Sequence, residues 1–338
     1  MRALTWSDAL MHRPAISVVI PVFNKREFVA ASLESVAVAA ERAGGVEIVV
    51  VDHCSTDGSY ELARGYDGRA IVQQKSGGTI SAVRNFGARL ARGQWLVFID
   101  SDCVVPDHYF ETLRSLAAGT DAAALGCEYD VPTSPHWSER VWYDLHVVRQ
   151  DGDRHFINAG NFAVRREAFD AVAGFDERLV TGEDTDICAR LRAEGYRIYE
   201  SQRLRVVHLG NPKSSRAFFR KQVWHGLGGF SRVMLRRPNK ATTMVFGHVG
   251  ALVFAALVLL GVGALPWVGR LAAALVLVIA VPALTVLYRY VETRRLVNPF
   301  GALWLYTLFY FARVRALATV LLRGLGHRAA PAQGARNT

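Results

Sequence analysis

Ile16-Ser-Val-Val-Ile-Pro-Val22 is the stretch on which the reading of the fold turns. It is short, rich in β-branched residues and followed by turn chemistry at Asn24, which predicts a buried strand. Downstream, a helix is expected from about Glu27 to Arg42, stopped by Gly44-Gly45. Val46-Glu-Ile-Val-Val-Val51, closed by Asp52, reads as a second strand of the same kind. A helix near Ser59–Arg64, a short strand at Ala70–Val72, a helix at Ile80–Arg92 and a strand at Trp95–Ile99 continue the alternation. Strands apolar on both faces and separated by helices predict an α/β fold: a mainly parallel sheet with helices on both faces. Such sheets bind ligands at the carboxyl ends of their strands, here Val22–Asn24, Asp52–Asp57 and Asp100–Asp102.

Charge divides the 338 residues unevenly. From Arg203 onward there are 19 Lys/Arg and one acidic residue, Glu292, which leaves 21 Lys/Arg against 29 Asp/Glu before it. The basic half also carries the long apolar runs, so anionic lipid headgroups are the expected partner and nucleic acid is not. No zinc-finger spacing and no aromatic-basic strand pattern supports an RNA- or DNA-binding reading. Cys54, Cys103, Cys127 and Cys188 form no CxxC pair, which suits a reduced, cytosolic setting. Residues 1–14 read as a loose lead-in with no apolar signal-peptide core.

Residues 104–210 read as α+β, with Gly-centred loops at Asn158-Ala-Gly-Asn161 and Thr181-Gly-Glu-Asp184. Residues 211–240 interleave Phe218, Phe219, Trp224 and Phe230 with arginine and lysine, a composition suited to a helix in the membrane interface. Met244–Val268 and Leu271–Tyr288 are uncharged runs near or above the ~20 residues that cross a ~30 Å hydrocarbon core. With only Gly269 and Arg270 between them, a tight transmembrane hairpin is expected. Its basic outer flanks place the N-terminal domain in the cytoplasm, in a multi-pass protein of the cell membrane. The run Val297–Leu322 contains Arg313 and Arg315 and reads as an interfacial or partly re-entrant helix rather than a third span. Residues 323–338 read as a disordered tail.

Three acidic groups carry candidate chemistry. Asp100-Ser-Asp102, after a strand end, can bring two carboxylates to one Mg²⁺ or Mn²⁺, or form a solvated turn. Asp52 can accept a hydrogen bond from a base or ribose hydroxyl, or cap the turn Ser55-Thr-Asp-Gly58. Gly182-Glu-Asp-Thr-Asp186 can supply a general base, or merely favour the dipole of a helix expected over Ile187–Glu194.

Taken in order, Val18-Val-Ile-Pro-Val-Phe-Asn24, Val51-Asp-His-Cys-Ser-Thr-Asp-Gly-Ser59, Ser81-Ala-Val-Arg-Asn-Phe-Gly87, Ile99-Asp-Ser-Asp102, Gly160-Asn-Phe-Ala-Val-Arg-Arg166, Gly174-Phe-Asp176 and Gly182-Glu-Asp184 resemble glycosyltransferase family 2 over residues 15–210. The resemblance implies a GT-A fold, a nucleotide-diphosphate sugar donor, a divalent metal (Mg²⁺ or Mn²⁺) and inversion at the anomeric carbon. It implies donor binding at Pro21, Val22, Asn24, Asp52, Arg84, Asn85 and Asp100. It implies metal ligation by Asp102, with Asp100 and His208 nearby, and a base at Asp184 with Glu183 as neighbour or substitute. His53 and Cys54 replace the second acidic residue and the glycine common in the family, which bears on nucleotide identity. No QxxRW pattern follows Asp184, so single addition to a glycan or lipid-linked acceptor is expected over processive synthesis. Two other readings stay open: a polyprenyl-phosphate monoglycosyltransferase, and a non-catalytic membrane scaffold with a degenerate donor site. The first strand lacks the GxGxxG turn of a nicotinamide dehydrogenase.

Overall fold

The computed structural model describes residues 14–147, 149–230, 240–261, 265–295 and 297–325. The lead-in, the arginines of 231–239 and the tail beyond 325 lie outside them. The chain divides into two compact units, residues 1–132 with 149–210, and residues 133–148 with 211–338.

The first unit is built on the expected alternation. Strand β1 (Ile16–Val22) is followed by helix α1 (Arg26–Ala43), β2 (Val46–Asp52), α2 (Ser59–Arg64), β3 (Ile71–Gln74), α3 (Ile80–Leu90) and β4 (Trp95–Ile99). Then come β5 (Cys103–Val104), α4 (Tyr109–Gly119) and β6 (Ala124–Gly126). An excursion into the second unit carries α5 (Trp137–His146), after which β7 (Gly152–Asp153), β8 (Asn161–Arg165), α6 (Arg166–Ala171), α7 (Glu183–Ala193), β9 (Ile198–Glu200) and β10 (Val207–His208) complete the unit. The main sheet has the order β3-β2-β1-β4-β8-β6-β9-β7. Its first four strands are parallel, β8 is antiparallel to β4 and to β6, and β6 pairs parallel with β9. The strands alternate their side chains between two cores. Val18, Ile20 and Val22 join one with α1 and α4; Val19, Val49, Val51 and Phe98 join the other with α3, α6 and α7. Burial on both faces explains why these strands carry no polar alternation.

The second unit is helical. It contains α5, α8 (Ser215–Gly229), α9 (Lys240–Leu259), α10 (Trp267–Thr293) and α11 (Pro299–Leu325). Three of its helices are long and apolar enough to cross a membrane: Thr242–Leu259, Trp267–Thr293 and Pro299–Leu322. They fit a membrane anchor. The turn between the first two does not fall at Gly269-Arg270. Leu259 ends α9, Gly261 follows at φ 93°, and Pro266 precedes α10, whose first turn contains both Gly269 and Arg270. Glycine and proline, not charge, break the run. The third run is one continuous helix, without the break a re-entrant segment needs. Arg313 is accommodated inside the unit: its Nη2 donates to Gln222 Oε1 at 3.1 Å and its guanidinium lies 4.8 Å from the Phe309 ring centre. In the segment with interfacial composition, Phe218 and Phe230 are buried in the helical core while Trp224 is exposed.

Candidate active site

The carboxyl ends of β1, β2 and β4 converge as the parallel register requires, with Val22 beside Asp52. Pro21 and Val22 are buried at this edge, and the Val22 carbonyl accepts from His53 N at 2.8 Å. Asn24 then turns the chain at φ 50°, a left-handed conformation that asparagine tolerates. Its Oδ1 accepts from Thr56 N and its own N–H donates to Ser55 Oγ, tying the β1 turn to the β2 turn. Asp52 is fully buried. Its Oδ2 accepts from Ser55 N at 2.9 Å and Gln74 Nε2 at 3.1 Å, while Oδ1 has no partner among the described residues. A buried acceptor left open costs stability until a donor meets it, which suits an N–H or O–H of a ligand. Cys54 sits at φ 54°, where a glycine is unstrained. The family's glycine at this position thus has a backbone reason, and this chain keeps the conformation without it. Beside Asp52, the Phe23 and His53 rings lie 5.5 Å apart.

Arg84 organises the next layer. It lies on α3, which Thr79 Oγ1 caps by accepting from Ala82 N, and its side chain is 4% exposed. Nη2 donates to Asp100 Oδ1 and Nη1 to Glu183 Oε1, each at 2.7 Å. Burial pulls the guanidinium down, but Asp100 and Glu183 outweigh it and hold its pKa above the ordinary value. The Tyr129 hydroxyl stands 3.5 Å from Asp100 Oδ2, and burial followed by the Asp100 charge raises that phenol. Gly160 leaves no room to spare: a Cβ there would meet Asp100 Oδ2 at 2.1 Å and the Tyr129 hydroxyl at 2.4 Å.

Asn85, next to Arg84, is committed elsewhere. Its Nδ2 donates to the Phe175 carbonyl at 2.8 Å and its Oδ1 accepts from Phe175 N at 3.0 Å. It pins the Gly174-Phe175 turn, where Gly174 has φ 66°, and the Phe175 ring in turn lies 5.7 Å under the Arg84 guanidinium.

Asp184 lies in the first turn of α7, which starts at Glu183, earlier than the sequence suggests, because Gly182 adopts φ 83° and lets the helix begin there. The carboxyl is half-buried, and Thr185 N donates to its Oδ1 at 2.8 Å. Burial first and the Glu183 charge second raise its pKa to about 7, against the opposing pull of Arg84. A carboxylate poised there is suited to take a proton near neutral pH.

Asp102 and His208 are brought together by the β5–β10 ribbon. His208 pairs opposite Cys103, and Leu209 N donates to the Asp102 carbonyl at 2.8 Å. Asp102, Cys103 and His208 each offer a ligand atom, all within 4.8 Å of one another. His208 Nε2 is 3.4 Å from Asp102 Oδ1, and Lys25 Nζ is 2.6 Å from Asp102 Oδ2, so a cation already stands at this carboxylate. A buried carboxylate beside an imidazole fits a divalent ion; oxygen with nitrogen suits Mn²⁺ at least as well as Mg²⁺. Asp100 lies outside this cluster, with Oδ1 on Arg84. Gly210 closes against Asp102, where a Cβ would come within 2.1 Å of Oδ2. Lys25, Tyr129 and Gly210 are not among the residues the sequence singles out, whereas Gly160 opens one of its motifs. Lys25 had one signal, a basic residue directly after the turn that ends β1.

A sheet of this order with an acidic cluster at its strand ends is a GT-A type fold. The mannosyltransferase PcManGT from Pyrobaculum calidifontis, solved with GDP-Man and Mn²⁺, has this fold: TM-score 0.65 at 18% identity, covering 93% of this chain and 88% of that one. Residues 17–173 match the family glycosyl transferase family 2. The chain is 27% identical over 232 residues to glycosyltransferase AglE of Haloferax volcanii, covering 66% of this chain and 76% of that one. It is 33% identical over 225 residues to validoxylamine A glucosyltransferase of Streptomyces hygroscopicus subsp. jinggangensis, covering 55% of this chain and 53% of that one. The chain thus spans about half the length of that second relative.

Proposed function

We propose that this protein transfers one sugar from a nucleotide-diphosphate donor to a hydroxyl of a glycan or lipid-linked acceptor, by a single displacement with inversion. The observation that carries the reading is the half-buried Asp184, raised to about 7 beside the Arg84-bridged Asp100 and Glu183. Asp184 removes the acceptor's proton as the oxygen attacks the anomeric carbon from the face opposite the leaving diphosphate. Asp100 and Glu183, fixed on Arg84, hold the donor sugar and set the charge around the base. Asp52 accepts a hydrogen bond from the nucleoside, and Phe23 and His53 flank that position. Asp102 and His208 would hold a Mg²⁺ or Mn²⁺, which when bound stabilises the negative charge of the leaving nucleotide diphosphate.

The anchor supports a location as well. Basic residues flank the apolar helices, Lys240 before the first and Arg289, Arg294 and Arg295 at the end of the second. By the positive-inside rule these flanks face the cytoplasm, and the catalytic unit with them, where nucleotide sugars and lipid-linked acceptors meet. Thermal stabilisation of the full chain in detergent by a panel of nucleotide diphosphates, with and without Mn²⁺, tests the donor half of the reading. At least one nucleotide diphosphate should stabilise the wild type only with Mn²⁺, and Asp102→Asn should lose that response. A chain stabilised by none, or equally in chelator, contradicts it.

A further inference from the structure

Lys25 has no role in the chemistry above, yet its ammonium touches the metal-capable carboxylate. Its Nζ lies 2.6 Å from Asp102 Oδ2; the Lys25 side chain is 34% exposed and that of Asp102 5%. Backbone N–H of Lys25 donates to Ser59 Oγ at 2.8 Å, which fixes the root of a side chain whose four-carbon stem has several rotatable bonds. The same Asp102, with His208, forms the pair a divalent ion would use. A full ammonium charge and a divalent ion cannot share one carboxylate oxygen at contact distance without strong mutual repulsion.

We infer that Lys25 is a tethered cation that holds Asp102 in the metal-free protein, yields it to the divalent ion, and then contacts the donor's diphosphate. The inference rests on the reading of Asp102 as a metal ligand. Its logic is charge balance. Asp102 is too buried to stand alone as an anion without cost, so a resident cation stabilises the empty site. When a metal takes over that task, the displaced ammonium stays within a side chain's length of whatever the metal binds. The group it would meet is a diphosphate, whose oxygens accept charge-assisted hydrogen bonds from an ammonium. The two roles have opposite consequences, so substitution separates them.

The experiment uses the full chain in detergent, as wild type, Lys25→Met, Lys25→Gln and Asp102→Asn. Free Mn²⁺ is followed by its paramagnetic resonance signal with Mn²⁺ alone, and binding of radiolabelled UDP or GDP at saturating Mn²⁺ is then followed by equilibrium dialysis. Without nucleotide, both Lys25 variants should bind Mn²⁺ about ten-fold more tightly than wild type, the scale of a partly buried ion pair that no longer competes. At saturating Mn²⁺ they should bind the nucleotide diphosphate about three- to ten-fold more weakly, the scale of one charge-assisted hydrogen bond. A merely structural lysine would weaken both. Unchanged or weaker Mn²⁺ binding in both Lys25 variants, or unchanged nucleotide affinity, overturns the inference. If wild type binds Mn²⁺ and Asp102→Asn does not, the metal reading survives that failure. If wild type binds no Mn²⁺ with or without nucleotide, the metal reading falls and the inference falls with it.

Discussion

Replacing Arg84 by methionine removes a guanidinium that is 4% exposed and bridges Asp100 and Glu183 at 2.7 Å each. The hydrophobic stem is largely kept, so the main loss is charge. Breaking a buried ion pair by deleting one partner costs roughly 3–5 kcal/mol. The Asp100 side chain is 28% exposed and can recover hydration, which places the expected cost near the lower end, about 3 kcal/mol. For a unit of this size that lowers the melting temperature by roughly 6–12 °C. A second effect falls on Asp184. Arg84 pulls the Asp184 pKa down against burial and Glu183, so its loss moves that pKa further above about 7. Each unit of movement leaves about ten-fold less ionised base at neutral pH. The assay pairs thermal unfolding of the full chain in detergent with the pH profile of donor turnover. Arg84→Lys keeps the charge but not the two-pronged geometry, so it should lose stability while its pH profile stays closer to wild type. An Arg84→Met protein that melts within about 2 °C of wild type, or one whose pH limb does not move, refutes the reasoning.

Three other expectations follow from the same site. In wild type, kcat/KM should rise about ten-fold per pH unit below 7 and level off above it, because the base works only when ionised. The same raised pKa stabilises the fold most below about 4, and that contribution fades as pH climbs through 7, so activity and stability have opposite slopes across this window. Gly160→Ala would put a carbon 2.1 Å from Asp100 Oδ2, forcing the carboxylate or the Tyr129 hydroxyl to shift; turnover should fall by about 10²-fold while the melting temperature moves little, since a misplacement of ~1 Å at reacting groups has that effect.

Much of the catalytic unit was legible because its signals are local. Strands β1, β2 and β4 are buried on both faces, so their apolar runs and the turn residues after them mark both the sheet and the edge where Asp52, Asp100 and Asp102 gather. Other features depend on partners distant in sequence. Nothing in the composition of Trp137–His146 marks it as part of the helical unit; its Val141 and Leu145 are claimed by a core whose other members lie beyond residue 217. Asn85 and Arg84 look alike as polar residues on one helix, but only the fold reveals that Asn85 clamps the Phe175 backbone while Arg84 joins two carboxylates. The helical turn falls before Gly269-Arg270, the one charged break in the apolar sequence, because backbone geometry at Gly261 and Pro266 decides it. Lys25 gives only a weak signal as a site residue because a lysine after a turn is usually solvated; its meaning comes from Asp102, 77 residues later.

Asp184 is the proposed base, and Asp184→Asn tests that role with little change in size. The measurement is donor turnover by the full chain with Mn²⁺, alongside nucleotide-diphosphate binding to the same preparation. Binding should stay within about two-fold of wild type and turnover should fall by roughly 10²–10⁴-fold, the usual scale of a lost general base. Turnover close to wild type, with binding intact, would contradict that role.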